Sequence, residues 1–76
     1  MQAQLILYST WGCHLCEEAE QLLKQTDVAY KVVDIVDDEQ AFARYRISIP
    51  VLCFAEQELC WPFDKVQLTT WLKDLR

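Results

Sequence analysis

Apolar residues fall along the chain in two alternating rhythms. Gln4 to Tyr8 (QLILY) is a short, branched apolar run of the kind that makes a buried strand. From Leu15 the spacing changes. Leu15, Ala19, Leu22 and Leu23 recur at helical intervals, with Glu17, Glu18 and Glu20 toward the start and Lys24 near the end, an order that suits a helix macrodipole. Thr26-Asp27 closes this helix. Val28 to Val36 (VAYKVVDIV) predicts a second strand, and Asp37-Asp38-Glu39 starts a short helix with Ala41, Phe42 and Tyr45 on one side. Pro50 opens a third strand, VLCF. The stretch AEQE turns the chain, and LCWPF runs back as a fourth strand. Asp64 is a good N-cap for a last helix whose Leu68, Trp71, Leu72 and Leu75 share a face.

This order, β-α-β-α-β-β-α, predicts a single α/β domain over residues 1–76. The first β-α-β unit should be parallel and right-handed, while the short turn makes the last two strands an antiparallel hairpin. A four-stranded mixed sheet flanked by three helices results. The chain is near the lower size at which one core is stable alone. The longest apolar run, Ile49 to Ala55, is far too short to span a bilayer, so no membrane partner is expected. Met1-Gln2-Ala3-Gln4 lacks the basic start and cleavage pattern of a secretory leader, which points to a cytoplasmic protein. A net charge of −5 with scattered Lys and Arg argues against nucleic-acid binding. A monomer is the default expectation.

The stretch STWGCHLCEEAEQLL adds chemistry to this frame, because it puts two thiols where the first strand gives way to the first helix. Three readings are open: a dithiol that exchanges electrons, half of a metal site, or two small buried side chains. The junction lies at the carboxyl end of a strand, where ligands bind open α/β sheets. Unpaired amides at a helix start favour a thiolate at Cys13, and the thiolate is the nucleophile in disulfide exchange. Cys16, one turn on, is close enough to pair with it. Gly12, the only glycine in the chain, allows a positive φ or close approach of a partner. His14, if protonated, adds to the stabilisation of the Cys13 sulfur, whereas Glu17 and Glu18 oppose it. Gly12 and His14 are therefore the expected redox-tuning residues.

With Cys13-His14-Leu15-Cys16 after a first strand and Ser48-Ile49-Pro50 opening the third, the chain resembles a glutaredoxin-like member of the thioredoxin fold. LYSTWGCHLCEEAEQLL is especially similar to a small bacterial glutaredoxin-like group with C-x-L-C. The resemblance implies a thiol–disulfide oxidoreductase in which Cys13 attacks and Cys16 resolves. It also implies a cis Ile49-Pro50 peptide beside the dithiol, with the backbone of Ile49 offered to an extended substrate. Asp64 matches the acidic residue that glutathione users of the family carry before the last helix. Trp61 stands where they have a glycine, and Ser9-Thr10-Trp11 replaces their usual Lys or Arg. Trp11 and Trp61 are read either as an aromatic rim around the thiols or as core residues. Trp11, Ile49, Pro50, Trp61 and Asp64 are thus the expected substrate-binding set. The substrate is a disulfide-containing protein or small molecule, with glutathione or a thioredoxin-reductase-like donor as reductant and no tightly bound cofactor.

Two rival functions are weighed against this. One is a cysteine metal site, zinc or iron–sulfur, for which Cys13-x-x-Cys16 has half-site spacing but Cys53 and Cys60 do not complete the usual knuckle. No metal is expected. The other is a redox-inactive partner-binding module of the same fold. If the hairpin turns symmetrically about Glu56-Gln57, Cys53 and Cys60 face each other, as buried small hydrophobes or a second redox pair.

Overall fold

The structure is a computed structural model and describes residues 4–75. Met1 to Ala3, where the absence of a leader is read, and Arg76 lie outside the described residues. The elements are β1 (Ile6–Ser9), α1 (His14–Gln25), β2 (Lys31–Asp34), a 3-10 turn (Ile35–Asp37), α2 (Glu39–Tyr45), β3 (Val51–Phe54), β4 (Gln57–Cys60) and α3 (Lys65–Asp74). The sheet order is β2-β1-β3-β4. β1 runs parallel to β2 and antiparallel to β3, and β3 runs antiparallel to β4. The expected α/β architecture, a mixed four-stranded sheet with three helices, is the observed one.

The two central strands are buried on both sides, which is why their sequences read as nearly continuous apolar runs. Leu7 and Leu52 pair across β1 and β3 and face α1 and α3, where Ala19, Leu23, Phe63 and Leu68 complete the main core. Their neighbours Tyr8 and Val51 point the other way, into a smaller cluster with Ile35, Ala41 and Tyr45 under α2. The alternation along each strand thus serves two cores at once.

Three boundaries differ from the sequence reading. The second strand is only Lys31–Asp34, because Asp34 turns its side chain to accept the Val36 N–H at 3.0 Å and bends the chain into the 3-10 turn. Ile35 and Val36 keep the run apolar but no longer extend it. The hairpin turns at Ala55-Glu56, with Ala55 at φ 56°, so β4 occupies Gln57–Cys60 and not LCWPF. Leu59 still reaches the main core, and Trp61-Pro62 leaves the sheet through a cis peptide.

Asp64 does cap α3, as its position predicts. Its Oδ1 accepts the Gln67 N–H at 2.8 Å, and Gln67 Oε1 accepts the Asp64 N–H at 3.1 Å, a reciprocal capping box. Asp64→Ala removes an acceptor that water replaces poorly. A loss of about 0.5–2 kcal/mol, read by urea or thermal unfolding, is expected.

A candidate dithiol site at the end of the sheet

The last paired row of the sheet on this side is Tyr8, Val51 and Cys60. One step further along, the Trp61 N–H donates to the Pro50 carbonyl at 3.1 Å, and Ser9 is paired with Asp34 of β2. Ser9, Pro50 and Trp61 therefore edge the same end of the sheet from which the chain passes to the cysteines.

That passage is a tight turn. The Cys13 N–H donates to the Thr10 carbonyl at 3.3 Å, with Trp11 and Gly12 at its corner. Gly12 has φ +79°, the left-handed value that this turn position needs. A Cβ built there meets nothing within 4 Å, so the requirement is one of backbone torsion and not of space. Gly12 acts on the thiols by aiming the chain. The same corner lifts Trp11 into solvent, 93% exposed.

Cys13 is the N-cap of α1, in extended conformation, and its Sγ accepts the Cys16 N–H at 3.2 Å. Its carbonyl accepts the Glu17 N–H at 3.2 Å and so begins the helix. The two cysteines form a disulfide, with Cα atoms 5.2 Å apart. They are not equivalent: Cys13 is half-buried, whereas Cys16 is 5% exposed beneath it. A cleft of about 390 Å³ opens over the pair, lined by Thr10, Trp11, Cys13, Cys16, Glu17 and Glu20 among others. Glu20 is a site residue that reading the sequence missed. Its signal was helical spacing, since it lies one turn beyond Cys16 on the same face.

The remaining expected residues divide. His14 is 87% exposed and its Nε2 lies 4.0 Å from Glu18 Oε2, so solvent screens its action on the sulfur. The Ile49-Pro50 peptide is cis, and Pro50 is buried at this end of the sheet without lining the cleft over the cysteines. The Ile49 N–H already donates to the Tyr45 carbonyl at 3.1 Å, which corrects the expectation that both of its backbone groups face a substrate. Trp61 is half-buried and meets Phe63 edge-to-face at 5.0 Å, packed on the main core. Of the two tryptophans, Trp11 is the rim residue.

Cys53 and Cys60 do not face each other. Cys53 pairs with Glu58 and Cys60 with Val51, a displacement set by the turn at Ala55-Glu56. Both are free thiols. Among the described residues no three His, Cys, Asp or Glu side chains gather closely enough to hold a metal ion. Burial, followed by the nearby Glu58 carboxylate, pushes the Cys53 thiol up, while Cys60 is exposed. With the Cys13–Cys16 disulfide intact, iodoacetamide should therefore modify Cys60 well before Cys53, which peptide mass spectrometry would order in time.

Beside Cys53, the Tyr45 hydroxyl donates to Glu58, which also pairs with Arg44 at 3.2 Å. Burial, and then that hydrogen bond, hold the Tyr45 phenol above its usual range. The network ties α2 to β4. A larger apolar groove of about 480 Å³ lies at the opposite end of the sheet, near Leu5, Val28, Phe54 and Leu72, and is lined by no thiol. No helix among the described residues is long and apolar enough to cross a membrane.

A mixed sheet in the order β2-β1-β3-β4, with a C-x-x-C opening the first helix and a cis-proline at the adjacent strand end, defines a glutaredoxin-like protein of the thioredoxin fold. The chain belongs to the glutaredoxin-like domain family (DUF836), whose family model matches residues 4–73. The crystal structure of XcR50 from X. campestris is similar, with 38% identity, a TM-score of 0.87, and coverage of 95% of this chain and 99% of that one. The solution structure of XcR50 gives 37% identity and a TM-score of 0.86, covering 100% and 97% of the two chains. Ne2328 from Nitrosomonas europaea is similar at 27% identity and a TM-score of 0.75, over 93% of this chain and 92% of that one. No curated protein is matched.

Proposed function

We propose that the protein is a thiol–disulfide oxidoreductase that works through the Cys13–Cys16 pair. The observation that carries this reading is the asymmetry of the pair: a half-buried Cys13, whose sulfur accepts a helix-start amide, above a Cys16 only 5% exposed. In the reduced protein, the amide favours negative charge on Cys13, and the cleft gives an incoming disulfide access to that sulfur first. The Cys13 thiolate attacks one substrate sulfur, breaking the substrate S–S bond and releasing its other sulfur as a thiolate. Cys16, deprotonated, then attacks the Cys13 Sγ of the mixed disulfide. The substrate leaves as two thiols, having gained two electrons and two protons, and the protein retains its internal disulfide. A dithiol donor or two equivalents of a monothiol return the electrons.

Glutathione and a thioredoxin-reductase-like protein are the two candidate donors, and the substrate is a protein or small-molecule disulfide. Ile49, half-buried ahead of the fully buried Pro50, supplies its carbonyl to an extended substrate, needing no particular side chain. The chain acts as a cytoplasmic monomer, in a compartment whose thiol systems keep such a pair cycling.

A trapping experiment tests these roles. Cys16→Ser should accumulate covalent adducts with disulfide substrates on non-reducing gels, because the mixed disulfide is no longer resolved, and Cys13→Ser should accumulate none. Equal trapping by both variants would reverse or dissolve the assignment. Lack of turnover with glutathione and with reductase-coupled donors alike would favour a redox-inactive binding module.

A further inference from the structure

The walls of the cleft over the disulfide carry one sign of charge. Glu17, next to Cys16, and Glu20, one turn further, both line it, while no Lys or Arg does so among the described residues. Lys24 lies in the last turn of α1, and the His14 ring is turned to Glu18. Glu17 lies in the first helical turn, where a carboxylate also serves the helix dipole. Glu20 is beyond that turn, where the dipole effect has faded, and it is only half-exposed, so its charge in the cleft is less screened than a free surface charge. In the same lining, Trp11 offers an indole that is 93% exposed, a surface that attracts Lys or Arg by cation–π contact. The whole chain adds a background of −5.

We infer that the disulfide this cleft takes belongs to a cationic peptide segment, with Lys or Arg beside the cysteine, and that disulfides flanked by acidic residues are disfavoured there. The inference rests on the oxidoreductase reading above and names its substrate class. The chemistry is unchanged: the peptide S–S bond gains two electrons from the Cys13/Cys16 dithiol and leaves as two thiols, and the protein is oxidised to its internal disulfide. Glu17, Glu20 and Trp11 set specificity, through attraction of the flanking cation before the sulfurs meet.

The test uses the fully reduced chain in single turnover with three synthetic peptides of equal length. Each has one internal disulfide, flanked by Lys, by Ser or by Glu. Every rate is divided by the same peptide's rate with dithiothreitol, which removes differences in intrinsic disulfide reactivity. At low ionic strength the Lys peptide should outrun the Glu peptide by at least about tenfold. The ratio should shrink toward parity in about 0.5 M salt. In the Glu17→Gln/Glu20→Gln double variant it should fall to within about threefold. Because the readout is a ratio, a shared change in Cys13 reactivity cancels, and an unchanged far-ultraviolet circular dichroism spectrum controls for folding. Equal rates for the three peptides, or a ratio that ignores both salt and the double variant, would overturn the inference and leave the oxidoreductase reading standing. Absence of exchange with every peptide would remove both.

Discussion

Cys13→Ser is expected to lower disulfide-exchange turnover by at least about 10³-fold while leaving the fold as stable as before, or more so. The loss follows from the nucleophile: a serine hydroxyl is not ionised near neutrality and has no adjacent base to activate it, whereas a thiolate needs none. The buried Cys16 cannot take over, since only 5% of it is exposed. The stability follows from geometry. Position 13 is the N-cap of α1, with extended torsions and a side-chain atom already accepting the Cys16 N–H. Serine is among the preferred N-cap residues, and its oxygen is a stronger acceptor than sulfur. Turnover and urea unfolding, measured on reduced wild type and variant, separate the two effects. A variant that lost activity and stability together would show that the sulfur matters chiefly as a structural element.

The second large effect belongs to the core. Leu52 is fully buried on β3, paired with Leu7 on one side and Leu59 on the other, in the cluster that holds Leu23 and Leu68. Strands β1, β3 and β4 and helices α1 and α3 all contribute side chains there, so the site has little freedom to collapse around a deletion. Leu52→Ala should cost about 2–5 kcal/mol. A domain this small has a total stability toward the lower end of about 5–15 kcal/mol, so the variant should unfold at markedly lower urea or be largely unfolded at 37 °C. Val66→Ala, on a side chain 73% exposed on α3, is the matching control and should stay within about 0.5 kcal/mol of wild type. Circular dichroism in a urea titration reads both.

Much of this architecture was legible in the sequence because its two periods are clean. Leu15, Ala19, Leu22 and Leu23 mark one helix, and Asp64 marks the start of another, since caps act over a few residues. The Cys13–Cys16 junction was legible for the same reason: strand end, turn glycine and helix start are all local. What failed was set at longer range or by torsions that composition does not announce. Ala55 takes a positive φ without being glycine or asparagine, so the hairpin register could not be read, and with it went the expected confrontation of Cys53 and Cys60. The Val28–Val36 run hid a strand end because Ile35 is buried in the turn that follows. The Tyr45–Glu58–Arg44 contacts join α2 to β4 and left no trace in either segment alone. Glu20 reads in the sequence as one of three carboxylates that serve the helix dipole, and only the folded chain brings it to the cleft.

A sulfur atom that closes a helix cannot change its chemical state privately. Since the amide of Cys16 holds the Cys13 sulfur, thermodynamic reciprocity requires that ionising the sulfur tighten the first turn of α1 by as much as that turn favours the ion. Hydrogen exchange at the Cys16 amide is therefore a gauge of the charge on the reduced sulfur, slowest when that sulfur is ionised and faster when a proton quenches it.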